Sequence, residues 1–434
     1  MPFQRKKASG EATTISKKLS TPLKNPTRAE MDKLIEKSAS GRIEEPLELF
    51  LGLLRHAHAN RASDIHFEPD REQAIIRLRI DGILHDEFIL PLPIHNRLIS
   101  LIKILTHMRT DEHRAPQDGR YEFESETGDV DVRTSTMPTS DGEKAVMRLL
   151  SSESHSLNLE QLGFGEKDLE RVKRAVKKPW GMILATGPTG SGKTTTIYAI
   201  LEMLNNRGVN ISTIEDPVEF YIPGVNQSQV DRAAKVTFAN GLRALLRQDP
   251  DIIMVGEVRD QETAKIAVNA ALTGHKMLST LHTNNAATTI PRLLDMGVEP
   301  FLVASTLILA IAQRLLRRIC PDCGVTKKVT YEEAKNILDV QALGELFKKE
   351  KTIEVMEAKG CRACNESGYR GRVGLYEVIA MSEEIQKLII RRASADEIEQ
   401  QAVLEGMTPM TRDGAEKVLQ KETTLEEFVR VMYE

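Results

Sequence analysis

The chain has 434 residues, 41% hydrophobic and 28% charged, the composition of a soluble globular protein too long for one ordinary core. A net charge of −4 and an aromatic share of 4% give no general case for nucleic-acid binding, and no nucleic acid is expected as a partner. The longest apolar run, Phe301–Ala312, falls well short of the ~20 residues that cross a bilayer, and the basic N-terminus lacks the apolar stretch of a signal peptide. Any membrane role is therefore expected to be peripheral, from the cytoplasmic side.

Residues 1–45 read as a flexible basic arm carrying Arg5, Lys6, Lys7, Lys17, Lys18, Lys24 and Arg28, a solvated tail with a short helix near Ala29–Lys37. Residues 46–150 read as a small α/β domain. Pro46–Asn60 has helical spacing, and Ala74–Ile80 alternates, with Ile76, Leu78 and Ile80 on one face and Arg77 and Arg79 on the other. Asp81-Gly82 supplies a hairpin turn into Ile83–Leu90. An amphipathic helix over Ile94–Met108 and strands at Tyr121–Phe123, Val130–Thr136 and Lys144–Leu150 complete it. Residues 151–159 have linker composition.

From 160 to 312 strands and helices alternate as in a parallel sheet covered on both faces. Its strands are expected at Gly181–Thr186, Asn210–Ile214, Asp251–Val255 and Lys276–His282. Residues 313–381 form a cysteine-bearing segment, and 382–434 a helical tail.

Gly187-Pro188-Thr189-Gly190-Ser191-Gly192-Lys193-Thr194 fits G-x-x-x-x-G-K-[ST], the loop whose backbone N–H groups wrap a nucleotide's phosphates. A strand precedes it, and a helix running on through Thr195 follows, so phosphate would sit on a helix N-terminus. Glycines let the backbone close on the anion. Lys193 would supply charge to the β/γ-phosphates, and Thr194 would ligate Mg²⁺.

Ligands of parallel α/β sheets sit beyond the carboxyl ends of the strands, where this chain places further reactive groups. Hydrolysis needs a positioned water, a carboxylate, a cation and a γ-phosphate sensor. Glu215 in Thr-Ile-Glu-Asp-Pro-Val-Glu (213–219) is the candidate water-activating carboxylate. Glu257, after the apolar strand 251–255, is the candidate Mg²⁺ partner, and the two acids could exchange roles. His282 is the candidate γ-phosphate contact; His275 reads equally well as a core histidine.

All four cysteines lie in two C-x-x-C pairs, Cys320/Cys323 and Cys361/Cys364, the spacing of a closed tetrathiolate Zn²⁺ site of structural type. Between them, Thr330–Glu350 reads as a mostly helical, charged, solvated spacer.

These motifs carry a family resemblance. Arg-Gln-Asp-Pro-Asp-Ile-Ile-Met-Val-Gly-Glu-Val-Arg-Asp (247–260) resembles the atypical Walker B segment of the secretion ATPase superfamily. The 213–219 run resembles its Asp box, and Thr-Gly-His-Lys-Met-Leu-Ser-Thr-Leu-His-Thr (273–283) its His box. Ala-Ser-Asp-Ile-His-Phe-Glu-Pro (62–69), Pro-Gln-Asp-Gly-Arg (116–120) and Val-Arg-Thr-Ser-Thr-Met-Pro (132–138) are similar to its N-terminal half. Within the superfamily the chain resembles the type II secretion and type IV pilus assembly ATPases, and the tetracysteine motif favours assembly over retraction.

The resemblance implies a RecA-like parallel-sheet ATPase domain after a PAS-like domain, in a homo-hexameric ring using ATP and Mg²⁺. It also implies docking on a polytopic inner-membrane platform protein and work on pilin or pseudopilin machinery. Arginines of the first domain would reach the γ-phosphate, with Arg114, Arg120 and Arg133 as candidates. A motor for retraction, DNA uptake or conjugation, or a non-hydrolysing nucleotide-gated scaffold, are the alternatives.

Overall fold

In a computed structural model of the chain, residues 26–39, 45–125, 128–151, 158–348 and 350–433 are described. The basic residues from Arg5 to Lys24 and most of the 151–159 linker lie outside them. The chain divides at His155/Ser156 into two units.

The first unit is an antiparallel sheet of β1 (Ala62–Pro69), β2 (Gln73–Ile80), β3 (Ile83–Pro91), β4 (Gln117–Ser125), β5 (Gly128–Thr139) and β6 (Gly142–Ser151). Its strand order is β3-β2-β1-β6-β5-β4. Asp81 and Gly82 both take positive φ (48° and 89°), as the tight hairpin between β2 and β3 requires. Helices Glu45–Ala59 and Leu92–Leu105 lay Phe50, Leu53, Leu98 and Ile102 against Ile65, Phe67, Ile76 and Val132 of the sheet. The Arg28–Ala39 helix falls where a short helix was expected, but it is not a solvated part of the arm: Met31 is buried in the same core. Arg28 donates to the Glu87 carbonyl at 2.7 Å and lies over the Phe88 ring, so apolar burial and a charge-assisted bond fix this end of the arm.

The second unit carries the expected RecA-like parallel sheet. β7 (Gly181–Thr186), β8 (Ile211–Glu215), β10 (Ile252–Val255) and β11 (Lys276–Leu281) are buried at every position, as parallel strands covered on both faces must be. Alternate residues serve different cores: Met182 and Leu184 belong to one cluster, Ile183 and Ala185 to another. A short β9 (Asn226–Gln229) flanks β8 at one edge.

Two further strands extend this sheet at its other edge. The apolar run Phe301–Ala312 splits, its start lying in the helix Pro300–Thr306 and its remainder opening β12 (Leu307–Ile319). β12 pairs parallel with β7 and continues past Gln313 without leaving the sheet. The cysteine segment contributes β13 (Gly324–Thr330) and β14 (Thr352–Ala358), which pair with each other. β15 (Tyr369–Ala380) then returns antiparallel along β12, giving the order β15-β12-β7-β11-β10-β8-β9.

The segment between the cysteine pairs is not a solvated spacer. Leu343, Leu346 and Phe347 of the Val340–Phe347 helix are buried with Val418, Leu425 and Phe428 of the C-terminal helices. Their helical spacing makes one apolar stripe, and burying it outweighs the segment's charge. Among the described residues no helix is long and apolar enough to cross a membrane.

Candidate nucleotide and metal sites

The phosphate loop leaves the sheet at the carboxyl end of β7 and enters the Lys193–Leu204 helix. Gly187, Gly190 and Gly192 all hold positive φ (145°, 79° and 86°), a backbone path closed to most side-chain-bearing residues. The helix N-cap is Gly192, which offers no side-chain oxygen to the first amides. Those N–H groups and the helix dipole favour an anion. Lys193 is only 8% exposed, and its amine donates to the Gly187 and Pro188 carbonyls, each at 2.9 Å. Burial lowers its pKa and the Glu257 charge opposes that shift. A buried ammonium held by neutral carbonyls beside uncapped amides suits a phosphate, so the residues present fit the expected triphosphate.

The two acids at neighbouring strand ends stand in different surroundings. Glu215 closes β8 at 2% exposure. It accepts hydrogen bonds from Thr213 Oγ1 at 2.5 Å, from Gln227 Nε2 at 3.3 Å and from the Tyr198 hydroxyl. Burial pushes its pKa up against the pull of these donors. Glu257, two residues beyond β10, is also buried, and both its oxygens are engaged: Arg259 contacts one, and His282 Nε2 stands 3.4 Å from the other. His282 is half exposed, and the Glu257 charge is close enough to Lys193 to be felt there. Sequence reasoning placed Glu257 and His282 correctly at strand ends but missed Tyr198 and Gln227, whose partner is the buried Glu215. Tyr198 lies four residues after Thr194 on the helix, a spacing that puts both on one face. His275 is half-buried, with Nδ1 3.0 Å from the Ala270 carbonyl.

In the first unit the three candidate arginines separate by their partners. Arg120 and Arg133 both face Asp131, at 2.7 and 3.7 Å. Arg114 is exposed, and among the described residues its guanidinium has no ion-pair partner. Its loop is firmly built: Glu112 Oε1 accepts the Arg114 and Ala115 N–H groups at 2.7 and 3.1 Å. The buried Lys103 amine bridges Glu143 Oε1 at 2.5 Å and the Glu112 carbonyl at 2.6 Å.

The four cysteine sulfurs lie within 4.8 Å of one another. Cys320–Cys361, Cys323–Cys364 and Cys361–Cys364 are separated by 3.9, 3.7 and 3.7 Å. Tetrahedral Zn–S bonds of ~2.3 Å place sulfurs about 3.8 Å apart, so the set fits a closed Zn²⁺ site. Burial raises the Cys364 thiol, but the Cys361 and Gly368 N–H groups, each 3.2 Å from its sulfur, outweigh that and bring it to about 7. One ligand is thus prepared as a thiolate.

Together these features define a P-loop nucleotide-binding protein of RecA-like fold with an appended tetrathiolate knuckle. The model of the Type II/IV secretion system protein family matches residues 42–430, and the chain belongs to that family. It is 46% identical over 93% of its length to "Type IV pilus assembly ATPase PilB" of Myxococcus xanthus, covering 70% of that protein. It is 44% identical over 89% of its length to "Type II secretion system protein E" of Pseudomonas aeruginosa, covering 76% of it. Among solved structures, the pilus retraction motor PilT with bound ADP aligns with a TM-score of 0.60 at 27% identity, covering 88% of this chain and 96% of that one. The ATPase DotB of Legionella pneumophila aligns with a TM-score of 0.63 at 22% identity, covering 96% and 98%, a likeness of fold.

Proposed function

We propose that the chain is a motor ATPase of pilus or pseudopilus assembly. It hydrolyses ATP with Mg²⁺ in a homo-hexameric ring, peripheral to the inner face of the cytoplasmic membrane. It acts on a polytopic platform protein that adds pilin or pseudopilin subunits. The relatives' names, assembly ATPase and secretion ATPase, support the direction of the motor, and the tetracysteine knuckle accompanies it.

The observation that supports hydrolysis is the Glu257 carboxylate, met by the exposed Arg259 and the half-exposed His282 and with its charge felt at Lys193. Glu215 is enclosed by three donors, whereas Glu257 is met by the exposed side chains of Arg259 and His282, so the tasks of a carboxylate facing the nucleotide fall to Glu257. It orients the attacking water and accepts its proton, the exchange of roles that the sequence left open. Glu215 instead locks the phosphate-loop helix to β8 through Tyr198. Lys193 and the loop amides bind the phosphates, and His282 contacts the γ-phosphate. Thr194 would hold Mg²⁺, which would neutralise charge developing on the β- and γ-phosphate oxygens. Arg114 is the arginine offered in trans, because its charge is not already spent on a carboxylate. The Zn²⁺ site is structural, with Cys320, Cys323, Cys361 and Cys364 as its four ligands.

The test is phosphate release by the purified chain, alone and with membranes containing its platform protein, for wild type, Lys193→Ala and Glu257→Gln. Wild-type release no greater than that of Lys193→Ala in both settings ends the hydrolytic reading. Failure of the active chain to restore fibre assembly in a strain lacking it ends the assembly reading.

A further inference from the structure

The phosphate loop rests on a side chain outside its motif. Gln313 is 1% exposed in β12, and its Nε2 donates to the Ser191 carbonyl at 2.6 Å. The register explains why it is there. Ala312 pairs with Thr186, the last residue of β7, so Gln313 is the first residue of β12 beyond the point where its neighbour turns into the loop. A Cβ added at Gly187 would come within 2.4 Å of the Gln313 carbonyl oxygen, and one at Gly192 within 3.1 Å of Nε2. Gly187, Ser191 and Gly192 are therefore all seated on one residue.

The seat is polar at some cost. Gln313 Oε1 and Ser191 Oγ are both buried without a hydrogen-bond partner in the structure. Packing alone would be met better by methionine, which has nearly the same length and leaves no orphan acceptor. What methionine cannot do is hold the Ser191 carbonyl, and that carbonyl's orientation turns the peptide planes on either side of it. Loop N–H groups aim at phosphate only while those planes are fixed.

Resting on the reading of the chain as an ATPase, we propose that Gln313 is a positioning residue for phosphate binding by the loop. It fixes the phosphate loop from beneath by holding the Ser191 carbonyl, so that binding strength for phosphate depends on a strand outside the loop. The role needs the donor Nε2 and no charge.

The experiment measures ADP, ATP and adenosine affinity of the full chain for wild type, Gln313→Met and Gln313→Glu, with melting temperature, KM and kcat alongside. Gln313→Met is expected to weaken ADP and ATP about tenfold and to raise the KM for ATP by a like factor, the loss of one well-made bond. Adenosine affinity, kcat within about threefold and melting temperature should stay near wild type. Gln313→Glu keeps the shape, lacks the donor and adds an acid beneath the loop, so it should weaken ATP more than ADP. Wild-type nucleotide affinity in Gln313→Met overturns the proposal, as does an equal loss for adenosine, which marks general disruption. Should Gln313→Met fail to fold, Gln313→Glu decides alone, and equal losses for ADP and adenosine overturn the proposal. Binding is read without turnover, so a chain that binds nucleotide but never hydrolyses it sinks the proposed function and leaves this test intact.

Discussion

The phosphate loop and the cysteine knuckle are built against the same strand by opposite means. The loop takes its shape from backbone: positive-φ glycines, carbonyls holding an amine, and one carboxamide from β12. The knuckle takes its shape from side chains, four sulfurs whose mutual repulsion as thiolates only a cation removes. A backbone-built anion site is complete before its ligand arrives. A side-chain-built cation site is finished by its ligand, so the two should fail differently.

Lys193→Ala removes charge without disturbing the glycines, so hydrolysis should fall ~100-fold or more while the melting temperature holds; a phosphate-release assay with thermal denaturation checks both. Glu257→Gln should cost about 100-fold in kcat, because the proposed base is lost, whereas Glu215→Gln should cost closer to tenfold. A Glu215→Gln loss equal to that of Glu257→Gln would return the base to Glu215. Mixing Arg114→Ala chains with Lys193→Ala chains should restore part of the activity that either lacks, if one protomer's arginine serves its neighbour's site.

Cys323→Ser should break the other member of the comparison. Bound zinc should drop from one per chain to well below it, and cleavage by a protease should begin within 320–368, while isolated hydrolysis survives. The expected loss is several kcal/mol of local stability.

The smallest effect belongs to Glu377 in β15, which accepts the Ala286 N–H at 2.9 Å and is pushed up to about 7 by burial. A carboxyl whose folded pKa is raised contributes its stability below the unfolded value near 4.5 and loses it as pH rises towards 7. The span corresponds to about 3 kcal/mol at most. Glu377→Gln keeps an acceptor for Ala286 and should flatten that fall in denaturant titrations between pH 5 and 8.

Much of the nucleotide site was legible because its chemistry is local in sequence: Lys193 sits within its motif, and Glu257 and His282 close apolar strands. The roles of the two acids were not legible. Their partners distinguish them: Glu215 is held by Tyr198 and Gln227, which no motif ties to it, and Glu257 by Arg259 and His282. β12 was hidden because the apolar residues of 301–312 suit a buried helix as well as a buried strand, and both occur. Gln313 marked a change of composition in the sequence and the middle of a strand in the structure. The stripe of Leu343, Leu346 and Phe347 could have been found by its spacing, had charge not dominated the reading of that segment.

β12 runs unbroken from the seat of the loop to the first zinc-type cysteine, apart from a register irregularity at Arg317–Ile319. Seven residues of extended chain separate Gln313 from Cys320, a rod of roughly 23 Å. Over that stretch β15 is its paired neighbour, since β7 pairs with β12 only as far as Ala312. The seat of the loop and the first zinc-type cysteine are therefore spaced by paired backbone of one strand and not by a loop.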